Sequence, residues 1–157
     1  MDVGNLLKDF EIVTGKQIDY ETAHAILVFR GKYILQLRDN NPMISAPGQW
    51  SFFGGQIVTG ETPEDAIKRE VYEELEIKPE NFKFLWTVDY YDPFVNLIVR
   101  TWFFSAEVSS VWSKHKLNEG EDVKIFRFRD LANIKIPSIV RQAIERFYKK
   151  RFELGYS

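Results

Sequence analysis

Runs of apolar residues divide the first part of the chain into short strands. Residues 23–29 (AHAILVF) are rich in strand-forming side chains, and residues 33–38 (YILQLR) alternate enough to form a return strand. Arg30-Gly31-Lys32 between them is typical of a hairpin turn. Segment 39–48 contains prolines and glycine and is expected to be a loop, whereas residues 50–57 are expected to form an aromatic strand.

A helix is predicted to begin at Thr62 or Pro63. Thr62 is a good N-cap, Pro63 suits the first helical position, and Asp65 can close a capping box. One apolar stripe follows the helical period, and it consists of Ile67, Val71 and Leu75. Because Pro79 cannot continue a helix, the end is expected near residues 75–77.

The rest of the chain predicts three more strands and a second helix. Residues 82–91 and 97–108 are expected to be strands around a turn at Asp92-Pro93, followed by a strand at 123–128. Residues 137–151 are expected to be a helix whose buried face holds Ile139, Ala143, Ile144 and Phe147. This order predicts a single α/β domain over residues 1–157, a sandwich around a mixed sheet. Residues 1–20 are ambiguous between an extra strand and a dimer arm.

Composition narrows the class of protein. The 157 residues suit one domain, and the absence of cysteine excludes disulfides and thiolate zinc sites. No apolar run approaches the ~20 residues of a membrane span, and the N-terminus has no signal-peptide core, so a cytoplasmic protein without a membrane partner is expected. The net charge of −2 gives no broad attraction to nucleic acid, so no stable nucleic-acid complex is expected. Whether the protein forms a homodimer is left open.

Acidic residues are concentrated on the first helix. Residues 61–80 hold eight acids and three bases. Glu70, Glu73 and Glu74 fall on one arc of the helix, where they repel one another, and the last two lie where the helix dipole favours cations. A divalent cation would remove both conflicts, and all-oxygen ligands select Mg²⁺ first and Mn²⁺ second. Charge alone is more typical of a solvated helix face.

The spacing around these acids carries a resemblance. The pattern is Gly55, five residues, Glu61, seven residues, Arg69-Glu70-Val71, one residue, Glu73-Glu74, and then Leu75-Glu76-Ile77. It resembles the signature of the Nudix hydrolase family, also called MutT-like, at every position except the last glycine, which is Glu76 here. Such a match arises by chance at on the order of 10⁻⁸ to 10⁻⁹ per start point. Residues 49–55 and 117–121 are also similar to family segments, so the likeness covers residues 21–150.

The resemblance implies a Nudix-type α/β/α sandwich around a mixed β-sheet and a Mg²⁺-dependent pyrophosphohydrolase. Its substrate would be a nucleoside diphosphate linked to X, a small nucleotide such as a (deoxy)nucleoside triphosphate or a nucleotide sugar. The resemblance implies that the metal ligands are Glu70, Glu73, Glu74 and the carbonyl of Gly54. Two alternatives are a nucleotide-binding sensor domain without turnover and a magnesium-binding structural module. The identity of X and the phosphorus attacked are left open.

The remaining roles are less closely determined by the motif. Arg69 is expected to orient carboxylates, with Glu61 in the same network. The general base is expected to be a glutamate inside the motif, such as Glu73, or one in the later loop, Glu119 with Glu121 second.

Substrate contacts are expected from Arg38, which would hold a phosphate, and from Trp50. Simpler explanations remain for several residues, because Gly54 could be a strand-end turn, Arg38 a surface arginine, and the loop glutamates a solvated turn. Since glutamate tolerates the left-handed conformation poorly, Glu76 predicts that the helix runs one turn longer or ends differently from the family's.

Overall fold

The computed structural model describes residues 8–157, which form one mixed sheet with helices on both faces. Its strands are β1 (Glu11–Ile12), β2 (Tyr20–Phe29), β3 (Lys32–Leu37), β4 (Trp50–Ser51), β5 (Phe53–Gln56), β6 (Lys83–Asp92), β7 (Leu97–Glu107) and β8 (Asp122–Phe126). The α-helices are α1 (Pro63–Leu75) and α2 (Ser138–Lys150), and short 3₁₀ helices cover Trp112–Lys114 and Phe128–Asn133.

The sheet is centred on β2. Its order is β1-β6-β7-β2-β3-β4, with β5 also pairing with β2 and β8 with β3. β2 and β7 run parallel, with Ala23 opposite Trp102, and the other pairings are antiparallel. The predicted mixed sheet is therefore confirmed.

The two faces of β2 pack against different helices, because successive side chains of a strand point to opposite sides. One apolar cluster joins Ala23, Ala25 and Leu27 to the fully buried stripe of α1, which consists of Ile67, Val71 and Leu75. The other joins Ile26 and Val28 to the buried face of α2, which consists of Ile139, Val140, Ala143, Ile144 and Phe147. Each large apolar side chain buried in this way stabilises the fold by about 1.5–3 kcal/mol.

The expected turns and strands are present, with one strand divided in two. Arg30 and Gly31 both have positive φ (49° and 79°) and form the two-residue hairpin turn between Phe29 and Lys32. The strand expected at 50–57 is divided at Phe52 into β4 and β5, which pair with different neighbours. In the N-terminal region β1 is an extra strand on β6, while residues 1–7 of the predicted arm lie outside the described residues.

Helix α1 begins and ends where predicted, but Glu76 at its end has an unexpected conformation. Thr62 and Asp65 form the reciprocal capping box, with Thr62 Oγ1 accepting from the Asp65 N–H at 3.1 Å. The helix ends at Leu75, and Glu76 has φ 55° and ψ 32°, the left-handed conformation that the family's glycine would adopt. The expectation that glutamate would move the end was wrong. The Glu76 N–H donates to Tyr72 O, and its carboxylate accepts from Asn118 Nδ2 at 3.1 Å, so neighbouring contacts hold the conformation.

Over residues 8–157, no helix is both long and apolar enough to cross a membrane.

Candidate active site

Glu74 is the buried centre of the acidic cluster. Only 1% of the residue is exposed, although it carries a carboxylate. Oε1 accepts from the Gly54 N–H at 3.1 Å, and Oε2 accepts from Gln36 Nε2 at 3.2 Å, so both donors are uncharged. Burial raises the pKa of Glu74 well above its ordinary value, and the charges of Glu70 and Glu119 raise it further.

Glu70 lies beside Glu74 and faces the glycine pair of β5. A Cβ at Gly55 would come within 2.5 Å of the Glu70 carboxyl carbon and Oε1, so the backbone and the carboxylate can approach this closely only with glycine. Glu70 Oε1 accepts from Arg69 Nη1 at 2.8 Å, which leaves Oε2 without an arginine contact.

Arg69 connects the acids of the motif. Its Nε and Nη2 donate to the two oxygens of Glu61 at 2.7 and 2.9 Å, and Nη2 also donates to Gln56 O at 3.1 Å. Nη1 contacts Glu70 at 2.8 Å and Glu73 at 3.3 Å. The Arg69 hydrogen bond lowers the pKa of Glu61 to about 2. The guanidinium is thus committed to carboxylates, as an orienting residue requires.

Gly54 has a conformation and a packing that exclude a side chain. Its φ of 151° lies in the region that disfavours L residues, and a Cβ would collide with the Ala23 carbonyl oxygen and come within 2.5 Å of His24 Cδ2. The backbone at Gly54 is therefore fixed between β2 and the Glu74 carboxylate.

The loop after residue 115 is docked on the end of α1. The N–H groups of Lys116 and Asn118 donate to Leu75 O and Glu74 O at 2.9 Å, and Asn118 Nδ2 donates to Glu73 O at 2.9 Å. These bonds satisfy carbonyls that a helix end leaves free. They also bring Glu119 close enough for its charge to affect Glu74. Sequence analysis missed Asn118, whose only signal was its place beside Glu119.

Two cavities meet at this cluster. One of about 330 Å³ extends from Glu70 across β2 towards α2, and the other, of about 420 Å³, lies beside Glu74 and the 118–120 loop. Three residues line both cavities, namely Arg38, Gly54 and Glu119. The Arg38 Nε donates to Ser45 O at 2.7 Å, which fixes the arginine stem at the junction.

The NUDIX domain family model matches residues 19–147, which is more than half of the chain. The chain belongs to the Nudix family. It is 28% identical over 129 residues to the NAD-capped RNA hydrolase NudC of Chromobacterium violaceum (79% of this chain, 46% of the relative). It is 35% identical over 63 residues to the 8-oxo-dGTP diphosphatase of Escherichia coli (40% of this chain, 49% of the relative).

The chain spans about half, or less, of the length of the curated relatives it matches. A solved structure, the MutT protein from Methanosarcina mazei Go1, superimposes with a TM-score of 0.74 at 20% identity and covers 88% of this chain and 99% of that one. This likeness concerns the fold, and it confirms the expected Nudix-type α/β architecture.

Some of the oxygen groups of this Nudix site suit a hard divalent cation, and others stand apart. Glu70, Glu74 and the Gly54 carbonyl are oxygen donors of the kind that Mg²⁺ selects, and the close approach at Gly55 keeps a side chain out of their space. Among the residues that the structure describes, no three acidic or histidine side chains are already arranged around one metal position. Glu73 stands apart because its side chain is 54% exposed and bonded to Arg69.

Two predicted residues lie away from the cluster. The Trp50 ring packs edge-on against Phe126, with ring centres 5.0 Å apart, and Lys124 Nζ lies 5.6 Å from its centre. It does not line the cavity that runs across β2, so its expected contact with substrate has no support in the geometry. Glu121 accepts from the Asn40 N–H at 3.3 Å and so contacts the 39–48 loop, whereas Glu119 lines both cavities.

Proposed function

We propose that this chain is a Mg²⁺-dependent pyrophosphohydrolase that cleaves the diphosphate of a nucleoside diphosphate linked to X. Its substrate is a small nucleotide, such as a (deoxy)nucleoside triphosphate or a nucleotide sugar. One observation carries the proposal: a buried carboxylate, Glu74, lies beside Glu70 where two cavities share Arg38, Gly54 and Glu119. A diphosphate at this junction would have one substituent in each cavity.

The cluster supports a divalent cation because the buried carboxylate of Glu74 accepts hydrogen bonds only from uncharged donors among the described residues. Glu70, Glu74 and the Gly54 carbonyl would hold Mg²⁺, with Glu73 available on the same helix and Mn²⁺ as the second choice of ion. The bound cation would neutralise the phosphoryl oxygens and supply Lewis acidity for attack at phosphorus.

The protein residues supply positioning and proton transfer. Arg69, held by Glu61, orients Glu70 and Glu73, and Arg38 at the junction binds a phosphate oxygen of the substrate. Glu119 accepts the proton of the attacking water, because it lines both cavities and its loop is docked on α1. Glu73 is the second candidate, and its hydrogen bond with Arg69 competes with a role as base.

The two curated relatives support a phosphoric anhydride of a nucleotide as the reacting group, since their names describe a hydrolase of NAD-capped RNA and a diphosphatase of 8-oxo-dGTP. Their names differ in the group X, so X is best found by testing a panel. The panel contains nucleoside triphosphates, nucleotide sugars and dinucleotides, incubated with Mg²⁺ while phosphate, pyrophosphate and nucleoside monophosphate are measured.

The decisive variant is Glu74→Gln, which keeps the shape of the side chain and removes its charge. We expect release to fall at least about 100-fold with the fold intact. Glu64→Gln is the matched control, because Glu64 lies on the same helix, its side chain is 55% exposed and it pairs with Lys68. Unchanged activity of Glu74→Gln would refute the site. Tight nucleotide binding without product release would favour the sensor alternative. Binding of Mg²⁺ without nucleotide binding and without product release would favour a structural module.

A further inference from the structure

Three polar side chains follow one face of the central strand β2. Tyr20, Thr22 and His24 occupy alternate positions and all line the cavity of about 330 Å³, whereas the next residues on that face, Ile26 and Val28, are buried in the core. A central strand normally fills such positions with apolar side chains. Polar groups that line a cavity here indicate that the cavity recognises something polar.

His24 lies at the end of this row nearest to the acidic cluster. It pairs across the sheet with Gly54 of β5 and Phe103 of β7, and its ring meets that of Phe103 edge-on at 6.4 Å. The ring lines the cavity. An imidazole ring in its neutral form offers one donor and one acceptor.

A chain of hydroxyl groups continues the polar floor. Thr22 Oγ1 lies 2.7 Å from Thr101 Oγ1, which lies 2.9 Å from the Tyr90 hydroxyl. The three hydroxyl groups carry three hydrogens and the two hydrogen bonds use two of them, so one hydrogen is left to donate to a ligand. Thr101 is fully buried, whereas Thr22 and Tyr90 line the cavity, and the remaining donor is therefore presented there.

This part of the cavity suits an uncharged ligand better than a phosphate. Its one carboxylate, Asp92, is buried and already accepts from Ser45 Oγ at 2.6 Å and from the Phe94 N–H at 2.9 Å. A negative charge here repels phosphate. Aromatic side chains, Phe10, Phe52 and Phe103, provide the apolar walls that a flat ring packs against.

We propose that His24 and the Thr22–Thr101–Tyr90 hydroxyl chain bind the nucleoside half of the substrate and set its selectivity. A strand rises about 3.3 Å per residue, so Thr22 lies about 7 Å and Tyr20 about 13 Å along β2 from His24. A nucleotide with its phosphate at the Glu70 end would thus bring its sugar beside His24 and its base over the hydroxyl chain. The inference rests on the proposed function for the placement of the phosphate.

Nuclear magnetic resonance of the histidine rings can test this proposal, because the chain has two histidines. His24 and His115 are the only histidines of the chain, so ring-labelled ¹⁵N spectra contain signals from both. His115 is the internal control, since its ring stacks on Trp112 at 3.7 Å and its Nδ1 lies 2.6 Å from Trp112 O. The probes are Mg²⁺ alone, inorganic pyrophosphate with Mg²⁺, and the monophosphates of adenosine, guanosine, cytidine and uridine with Mg²⁺.

We expect at least one nucleoside monophosphate to shift the His24 signals, with little response to pyrophosphate and none from His115. Equal shifts from pyrophosphate and nucleotide, each measured against the protein with Mg²⁺ alone, or silence with all four nucleotides would each overturn the inference. Because this readout needs no turnover, a shift without hydrolysis of any diphosphate would refute the proposed function and leave the nucleoside site standing.

Kinetics on a hydrolysed nucleotide provide the second test. His24→Phe fills the space without a polar edge, and we expect KM to rise roughly 5- to 15-fold with kcat little changed. His24→Asn restores a donor and an acceptor and should recover part of the loss. His115→Phe is the control and should behave as wild type. A fall in kcat at constant KM, in a variant shown by circular dichroism to be folded, would contradict a binding role.

Discussion

The Gly54 N–H donates to Glu74 Oε1 at 3.1 Å, and the same glycine lies against the His24 ring on its other side. One residue of β5 therefore positions both the buried carboxylate and the floor of the cavity. This explains why the strand breaks its regular conformation there, with φ of 151°, at a cost that only glycine keeps small.

Gly54→Ala should combine backbone strain with a collision, because the new Cβ would overlap the Ala23 carbonyl oxygen. Gly60→Ala is the matched control, since Gly60 also has positive φ (92°) but nothing lies within 4 Å of its Cβ position. We expect Gly60→Ala to lower the free energy of unfolding by about 1 kcal/mol and Gly54→Ala by at least about 2–3 kcal/mol. Urea denaturation measures both, and equal losses would contradict the packing described at Gly54.

Metal-free protein should lose stability as the pH rises above neutrality. The pKa of Glu74 is raised in the folded state above its ordinary value of 4.5, so its contribution is fully present below 4.5 and is lost as pH rises through the folded pKa. His24, with its lowered pKa, remains neutral above pH 6.5 and adds no slope there. Urea denaturation with a chelator should therefore give a lower stability at pH 9 than at pH 7.

Two comparisons test whether Glu74 causes the difference in stability between pH 7 and pH 9. Glu74→Gln cannot ionise and should remove the difference between pH 7 and pH 9. Saturating Mg²⁺ should remove it as well, because a bound cation stabilises the charged carboxylate. If the variant kept the full slope, another group would have to cause it.

Arg69→Lys keeps the charge and removes the planar fork that holds Glu61 through two nitrogens. We expect kcat to fall about 10- to 100-fold, since the orientation of Glu70 and Glu73 depends on this network. Arg100→Lys is the control, because Arg100 also holds one carboxylate, Asp89, through Nε and Nη2. A similar kcat for both variants would show that the Arg69 fork does not matter for turnover.

Glu119→Gln should separate the two loop glutamates. A residue that accepts the proton of the attacking water should cost about 100- to 10,000-fold in kcat when it cannot ionise, with a small change in KM. Glu121→Gln, two residues away on the same loop, should cost less than about 10-fold, because its contact is the Asn40 N–H. The pH dependence of kcat adds a check, since the loss of the base should flatten its acid limb.

Local features of the fold were predictable, and long-range ones were not. The start of α1 depends on Thr62, Pro63 and Asp65, which are close in sequence, and so the pattern determines it. The parallel pairing of β2 with β7 joins residues about 80 positions apart, such as Ala23 and Trp102, and no local pattern encodes it.

The same distinction applies to the site. The spacing of the motif predicts Glu70 and Glu74 as metal ligands, but it gives no sign that Asn118, in a loop 44 residues after Glu74, donates its N–H to Glu74 O at the helix end. The role proposed for His24 depends on its register with Gly54. Trp50 packs edge-on against Phe126, a contact that aromatic character alone does not indicate, and its contact with substrate stays a prediction.

Glu76→Gly tests the departure of this chain from the family motif. Glu76 has φ of 55°, which costs about 1–2 kcal/mol for a residue with a Cβ. Glycine removes this cost, but it raises the conformational entropy of the unfolded chain, which offsets part of the gain in stability. It also loses the hydrogen bond from Asn118. We expect a net gain of roughly 0.5 kcal/mol in the free energy of unfolding. Glu76→Gln keeps the strain and should not stabilise, so a gain in both variants would indicate relief of charge repulsion instead.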